Sequence, residues 1–219
     1  MIWYIVTDDA EQYRQPHFHR IKILLEERAD DCCLAVHYRY ISRKLLSEAR
    51  PWAICHSGGS ALYDDYDVLQ HEGYADCILN WDIPQIGFCG GHQIISTKFG
   101  SRIGWMRRLT DDEPDQEGYR PRQFKEWGIY PVRIVHRDPL FEGMGGVIRV
   151  REAHSWEVLE LGPELRLLAS GDTCRVQAYV HTTKPVYGVQ FHPEGANTDY
   201  PDGWQILKNF FSLARRYKQ

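Results

Sequence analysis

A cysteine with glycine two places before it and two places after it constrains the fold of this chain more than any other feature. Cys89 stands between Gly87 and Gly91. The short apolar run at 84–88 predicts a buried strand, and the apolar spacing in 90–99 predicts a helix. A side chain on so sharp a strand-to-helix turn requires tiny neighbours, because adjacent backbones must approach it closely. The pattern therefore predicts a nucleophile presented at the end of a strand.

The predicted position of Cys89 at a helix N-terminus also bears on its chemistry. Unpaired amides and the helix dipole favour negative charge there, so the thiolate is favoured over the thiol near neutral pH. A glycine-flanked cysteine also arises by chance, so the interpretation depends on other segments of the chain.

A histidine and a carboxylate follow a second predicted strand, near the C-terminal end of the chain. Val186–Phe191 reads as a strand bounded by Pro185 and Pro193, so His192 emerges at its carboxyl end, where open α/β sheets bind their ligands. Glu194 lies two residues further on, near enough to orient the imidazole and stabilise its charged form. Taken alone, the same three residues are equally compatible with a solvated turn.

A glycine pair follows a third predicted strand, upstream of Cys89. Residues 51–56 read as another short strand, which runs into the turn Ser57-Gly58-Gly59-Ser60. Residues without side chains expose backbone N–H groups, which an oxyanion hole needs when negative charge develops on a carbonyl oxygen. Most Gly-Gly pairs form turns without a catalytic role. A functional interpretation of this turn therefore depends on the other motifs in the chain.

In this order the motifs resemble those of class I, triad-type glutamine amidotransferases, and most of all the glutaminase domain of GMP synthetases. The family pattern runs Ser-Gly-Gly-Pro, Gly-Ile-Cys-x-Gly-His-Gln, a turn containing His and Ser, and His-Pro-Glu. The resemblance extends over residues 53–194. Ser60 stands at the proline position of the first motif, which predicts a looser turn.

The resemblance implies a role for each matched residue. Cys89 is the implied nucleophile, His192 the general base and acid, and Glu194 the residue that orients the histidine. The implied oxyanion donors are the backbone N–H groups of Gly59 and Gly90. The implied lining of the substrate pocket comprises four further residues: Gln93, His154, Ser155 and Trp156.

The implied activity is hydrolysis of the side-chain amide of glutamine through a cysteine thioester, which yields glutamate and ammonia. No synthase domain follows Glu194 in the sequence, so the expected ammonia acceptor is a synthase subunit on a separate chain. A free-standing γ-glutamyl hydrolase or peptidase of the same superfamily is the alternative. A third alternative is a non-catalytic regulatory or scaffold protein that retains the fold.

The order of predicted elements indicates an α/β fold. Strands alternate with helices in the first half, and strands cluster after residue 102. This predicts a doubly wound, mostly parallel, flavodoxin-like sheet flanked by helices, with a small antiparallel excursion and a single domain over 1–219. Residues 63–79 read as mostly helical. The chain ends in a predicted amphipathic helix from Gly203, with an apolar side formed by Trp204, Leu207, Phe210, Phe211, Ala214 and Tyr217.

Composition excludes several other classes. The net charge of −4 gives no electrostatic footprint for nucleic acid, and no long apolar stretch or signal peptide indicates a membrane or an export route. The six cysteines contain no C-x-x-C pair and fit a reducing environment, so a cytoplasmic location is expected.

Neither a cofactor nor a metal is expected. His17 and His19 follow Asp8 and Asp9, but no fourth ligand supports a metal site. The polar stretch Thr110–Gly118 can bury little, and is interpreted as an exposed loop, with a lid or docking role as the lesser alternative.

Overall fold

The computed structural model describes residues 1–115 and 120–217. In chain order the strands and helices are β1 (Ile2–Val6), α1 (Pro16–Ala29), β2 (Cys33–His37), α2 (Arg43–Ala49), β3 (Ile54–His56), α3 (Glu72–Asn80), β4 (Gln85–Phe88), α4 (Gly90–Lys98), β5 (Arg102–Trp105), β6 (Glu126–Ile134), β7 (Val147–His154), β8 (Trp156–Glu160), β9 (Leu165–Ser170), β10 (Ala178–His181), β11 (Val186–Val189) and α5 (Asp202–Tyr217).

Nine strands form one sheet in the order β2-β1-β3-β4-β11-β10-β9-β6-β7. The first five of these run parallel to one another, and the remaining four join them by antiparallel pairing. Strands β5 and β8 form a separate two-stranded antiparallel sheet. The predicted fold class, a doubly wound, mostly parallel sheet flanked by helices, is confirmed, although the antiparallel part is larger than the small excursion predicted.

Helices cover both faces of the sheet because alternate residues of each strand point to opposite sides. In β1, Tyr4 packs in a core cluster with residues of α1 and α5. Its neighbours Trp3 and Ile5 pack in a second cluster with residues of α2, α3 and α4. All five residues of β1 are buried, which explains why this strand reads as an unbroken apolar run.

The structure departs from the sequence analysis in three places. Residues 66–71 are not helical: Asp67 accepts a hydrogen bond from Tyr38 at 2.5 Å, and α3 begins only where the His71 side chain caps the N–H of Tyr74. Strand β8 is not predicted, because its half-exposed residues lack a clear alternation. Tyr217, predicted on the apolar side of α5, is 47% exposed, whereas Leu207, Phe210, Phe211 and Ala214 are buried as predicted.

The parallel half of the sheet places the candidate residues at one edge. The carboxyl ends of strands β1, β3, β4 and β11 lie at this edge, where open α/β sheets bind ligands. Strands β4 and β11 are direct neighbours, with Phe88 opposite Val189. The residues that follow these two strands, Cys89 and Gln190, therefore lie side by side although a hundred positions separate them in sequence.

Two chain-wide expectations concern cysteines and membranes. All six cysteines, each within the described residues, are free. Across 1–115 and 120–217, no helix combines the length and apolar character that crossing a bilayer requires.

Candidate active site

Cys89 occupies a strained strand-to-helix turn between β4 and α4, which we call the elbow. Its backbone has φ 45° and ψ −104°, a conformation that non-glycine residues rarely adopt and that costs on the order of 1–3 kcal/mol. A Cβ on Gly87 would lie 2.5 Å from the backbone of Gly91, and one on Gly91 would lie 2.7 Å from the carbonyl oxygen of His56. The two glycines thus permit the close backbone approach that the sequence predicts.

Backbone hydrogen bonds to neighbouring segments fix the position of Cys89. Its N–H donates to the carbonyl of Val189 at 2.9 Å, and the N–H of Gly91 donates to Ser57 at 2.9 Å. The nucleophile candidate is therefore hydrogen-bonded to β11 on one side, while its helix is tied to the turn after β3 on the other.

His192 and Glu194 lie beside the sulfur. His192 Nδ1 is 2.8 Å from Glu194 Oε1. The imidazole lies on the Cys89 side of Gly58, where a Cβ would contact both His192 Cε1 and Cys89 Cβ. Burial alone lowers the pKa of His192, but the Glu194 carboxylate and the Cys89 thiolate outweigh it, so this pKa lies well above its usual range. The geometry favours an imidazolium held between the Cys89 sulfur on one side and the Glu194 carboxylate on the other.

The turn Ser57-Gly58-Gly59-Ser60, which follows β3 and which we call the oxyanion turn, approaches the elbow closely. A Cβ on Gly90 would lie 2.9 Å from the backbone nitrogen of Gly59, so the two N–H groups border the same space beside Cys89. Within 1–115 and 120–217 neither N–H has a hydrogen-bond acceptor in the protein. Two such N–H groups beside a candidate nucleophile are the arrangement expected of an oxyanion hole.

Asp8 holds this turn in place. Its Oδ2 accepts from the backbone N–H of Ser60 at 2.8 Å and from the Ser60 hydroxyl at 3.0 Å, and its Oδ1 accepts from the N–H of Ala61 at 3.0 Å. Ser60 is therefore held by two hydrogen bonds to one carboxylate, and the prediction of a turn looser than one with proline stays a prediction. A proline at this position would lack the N–H that the Asp8 carboxylate accepts.

The pocket beside Cys89 brings the predicted substrate-binding residues together. Gln93, His154, Ser155 and Trp156 line it with Gly59 and Gly90. Its cavity volume is about 30 Å³, room for about two water molecules. Arg120 also lines the pocket and donates to the carbonyl of Ser60 at 2.6 Å.

An adjacent cavity of about 410 Å³ shares Gly59, Ser60 and Ala153 with this pocket. Its wall is largely apolar, with the side chains of Phe18 and Trp127 beside His192 and Glu194. Two spaces of very different size therefore meet at the candidate oxyanion turn.

The polar stretch Thr110–Gly118 is only partly described. Its residues 116–118, with Tyr119, lie outside the described residues, and the lid role stays a prediction. Glu113 pairs with Arg107 at 2.5 Å near its beginning.

His154 lies in a buried charge cluster that the sequence does not predict. Its Nε2 is 2.9 Å from Glu126 and 3.2 Å from Glu152, and Glu126 is its direct partner across β6 and β7. Burial lowers the pKa of His154, but hydrogen bonds to the two carboxylates raise it to about 10. Burial opposes ionisation of Glu126, yet bonds from His154, Thr173 and Gln177 keep its pKa below the usual value, whereas burial raises the pKa of Glu152.

Cys174 adjoins this cluster, so that ligand atoms of Glu126, His154 and Cys174 lie within 4.8 Å of one another. Glu126 already accepts from Thr173, Gln177 and His154, and both imidazole nitrogens of His154 are bonded. Protein hydrogen bonds satisfy these groups, and we assign no metal to them. In the described residues, His17 and His19 join no group of metal-ligand spacing.

Comparisons with known proteins agree with this fold and site. The sequence model for "Glutamine amidotransferase class-I" matches residues 25–214. The glutamine-hydrolyzing GMP synthase subunit of Pyrococcus abyssi is 35% identical over 167 residues, covering 74% of this chain and 76% of that protein. The protein of the same name from Methanocaldococcus jannaschii is 30% identical over 210 residues, covering 94% of each.

Solved structures show the same fold. A protein described as a GMP synthase subunit from Thermoplasma acidophilum superposes with a TM-score of 0.78 at 24% identity, covering 100% of this chain and 96% of that one. A glutamine amidotransferase from Thermotoga maritima gives 0.64 at 17% identity, covering 90% and 77%. Fold and site define an α/β protein with a cysteine elbow, and the chain belongs to the class I glutamine amidotransferase family.

Proposed function

We propose that this protein hydrolyses the side-chain amide of glutamine through a thioester on Cys89 and supplies the ammonia to a synthase on a separate chain. The observation that carries the proposal is the convergence of Cys89, the His192 and Glu194 pair and two unpaired N–H groups at one sheet edge. These are the nucleophile, base and oxyanion donors that acyl transfer requires. Glutamine hydrolysis is also the activity in the names of the GMP synthase relatives.

In the proposed mechanism a residue is assigned to each reaction step. The Cys89 thiolate attacks the amide carbon, and the negative charge on the oxygen is bound by the N–H groups of Gly59 and Gly90. The His192 imidazolium then donates its proton to the departing ammonia, which leaves a γ-glutamyl thioester and a neutral imidazole. The imidazole next takes a proton from water as it attacks the thioester, and glutamate is released. Glu194 keeps the imidazole oriented through both halves.

The names of the relatives favour glutamine over a γ-glutamyl peptide as the substrate, because they specify glutamine hydrolysis. Arg120 and Trp156 border the pocket beside Cys89. A scaffold role requires none of the strained backbone at Cys89, which costs free energy without contributing to the fold.

A separate acceptor chain completes the proposal. The relatives are named as subunits of a glutamine-hydrolysing synthase. The larger cavity beside His192 and Glu194 adjoins the turn that carries Gly59, and its position supports a path for ammonia on that side. Two sequence expectations stay predictions within this proposal: a cytoplasmic location, and a single domain over 1–219, which is supported by a sheet that draws strands from residue 2 to residue 189.

The test measures glutamate release from glutamine and from γ-glutamyl peptides, with and without candidate synthase subunits. A chloroketone analogue of glutamine should alkylate Cys89 and abolish activity. Cys89→Ser should remove both labelling and turnover, while Cys32→Ser, which alters an exposed cysteine, should leave both unchanged. Turnover of peptides alone would contradict the glutaminase proposal, and no turnover of either substrate with any partner would favour the scaffold.

A further inference from the structure

We propose that Gln190 is a positioning residue for the Cys89 thiolate, and that its amide is oriented toward the sulfur by a hydrogen-bond chain that begins at the backbone carbonyl of Trp156. The inference rests on the proposed function only for its catalytic consequence. Gln190 is fully buried, and its Nε2 lies 3.7 Å from Cys89 Sγ, within hydrogen-bonding distance for sulfur.

The direction of each amide in the chain follows from its neighbour. The carbonyl of Trp156 can only accept, so the group of Gln93 that lies 2.7 Å from it must be the NH₂ group. The same NH₂ group lies 3.0 Å from the Gln190 side chain and therefore faces its oxygen. Tyr63 donates to the Gln93 oxygen at 2.8 Å, which agrees with this orientation. Gln190 must then present its own NH₂ group to the sulfur.

The chain is anchored in the buried charge cluster. His154 Nδ1 donates to the carbonyl of Trp156 at 2.9 Å, while its Nε2 is held by Glu126 at 2.9 Å. Both nitrogens face acceptors, so His154 is an imidazolium whose position is fixed by a carboxylate. The Trp156 carbonyl thus receives two donors, and neither it nor Gln93 can turn without breaking a buried hydrogen bond.

The amide acts selectively on the ionised sulfur. The carbonyl of Ala153, 4.0 Å from Cys89 Sγ, can only accept and so interacts with the thiol form. The NH₂ group of Gln190 can donate to a thiolate, and so favours ionisation and fixes the direction of the lone pairs. The charged groups that also face this sulfur are His192, with Glu194 behind it, and the imidazolium of His154. Gln190 differs from these in supplying direction without charge.

The test follows the ionisation of Cys89 independently of glutamine turnover. The rate of its alkylation by iodoacetamide is measured by peptide mass spectrometry from pH 5 to pH 10, which separates Cys89 from the exposed Cys32. In Gln190→Leu the pH of half-maximal rate should rise by about one unit. Gln93→Leu frees the Gln190 amide to rotate and should give a smaller rise. Gln190→Met replaces the leucine variant if that variant does not fold.

Gln85→Leu is the matched control. Gln85 is equally buried on the adjacent strand, but bonds to His56 and to the carbonyl of Cys77 rather than to Cys89. Its substitution should leave the alkylation profile unchanged. In the unmodified protein, the side-chain amide resonances of Gln190, and not those of Gln85, should shift as Cys89 ionises.

An unchanged profile in a folded Gln190 variant, an equal rise in Gln85→Leu, or amide resonances of Gln190 that ignore the titration would each overturn the inference. Glutamate release is measured in the same samples. A shifted alkylation profile in a protein that never hydrolyses glutamine would refute the proposed function and leave the role of Gln190 standing.

Discussion

Gly58→Ala introduces a single methyl group between the two candidate reacting side chains. The new Cβ would lie 3.0 Å from His192 Cε1 and 3.5 Å from Cys89 Cβ. Ordinary carbon contacts begin near 3.4 Å, so the imidazole must withdraw by several tenths of an ångström. Misplacing a catalytic group by about 1 Å costs on the order of a hundredfold in rate, so we expect kcat to fall about 10- to 100-fold.

The fold should tolerate this change. Gly58 is partly exposed, and the contact is with a side chain that can yield, so the free energy of unfolding should change by less than about 1 kcal/mol. The assay pairs initial rates of glutamate release at saturating glutamine with urea unfolding. A folded Gly58→Ala variant with the original kcat would refute the assignment of the reacting space to this side of His192.

Alanine substitutions at two other glycines serve as controls for the Gly58→Ala experiment, one expected to have no effect and one expected to destabilise the fold. A Cβ on Gly146 meets nothing within 4 Å, so Gly146→Ala should leave rate and stability unchanged. A Cβ on Gly87 would strike backbone atoms at 2.5 Å, so Gly87→Ala should disrupt the packing of the elbow helix and lower stability severely. Equal loss of activity in all three variants would show that the assay reports unfolding rather than geometry.

Three further predictions concern charged groups. Asp8→Ala removes the acceptor that holds the oxyanion turn, and should lower kcat about tenfold in glutamate release with a smaller effect on KM. Glu194→Gln removes a group that raises the pKa of His192, so the alkaline limb of the kcat/KM profile should move down by about one to two pH units. Because the pKa of His154 is raised to about 10, its stabilising contribution is complete below its ordinary pKa and is lost as the pH rises through 10. Glu126→Gln should therefore cost about 3 kcal/mol in urea unfolding at pH 6, and less at pH 10.

The features that local sequence predicts share a local cause. The elbow at Cys89 is predictable because its geometry requires glycine two residues before and two residues after the cysteine. The structure shows the close backbone approaches at Gly87 and Gly91 that impose this requirement. Strand β1 is predictable because a strand buried on both faces must be apolar throughout.

Long-range pairing, by contrast, leaves no local signature. Glu126 and His154 meet only because they are register partners across β6 and β7, and nothing in either segment predicts that a charge pair is buried there. Asp8 follows the first strand, and its bonds to Ser60 span 52 positions of sequence. The serine at position 60 gives no sign in the local sequence that its N–H has a carboxylate acceptor 52 positions away.

The order of the strands separates two properties that evolution can alter independently. Strands β4 and β11 are hydrogen-bonded neighbours, so the distance between the thiol and the imidazole is set by a ladder of backbone bonds. The chain between them, from β5 to β10, forms the antiparallel strands, the separate two-stranded sheet and one side of the substrate pocket. Insertions and substitutions in that long excursion can therefore change what the pocket admits or which surface it offers a partner, while the spacing of the reacting pair is inherited unchanged.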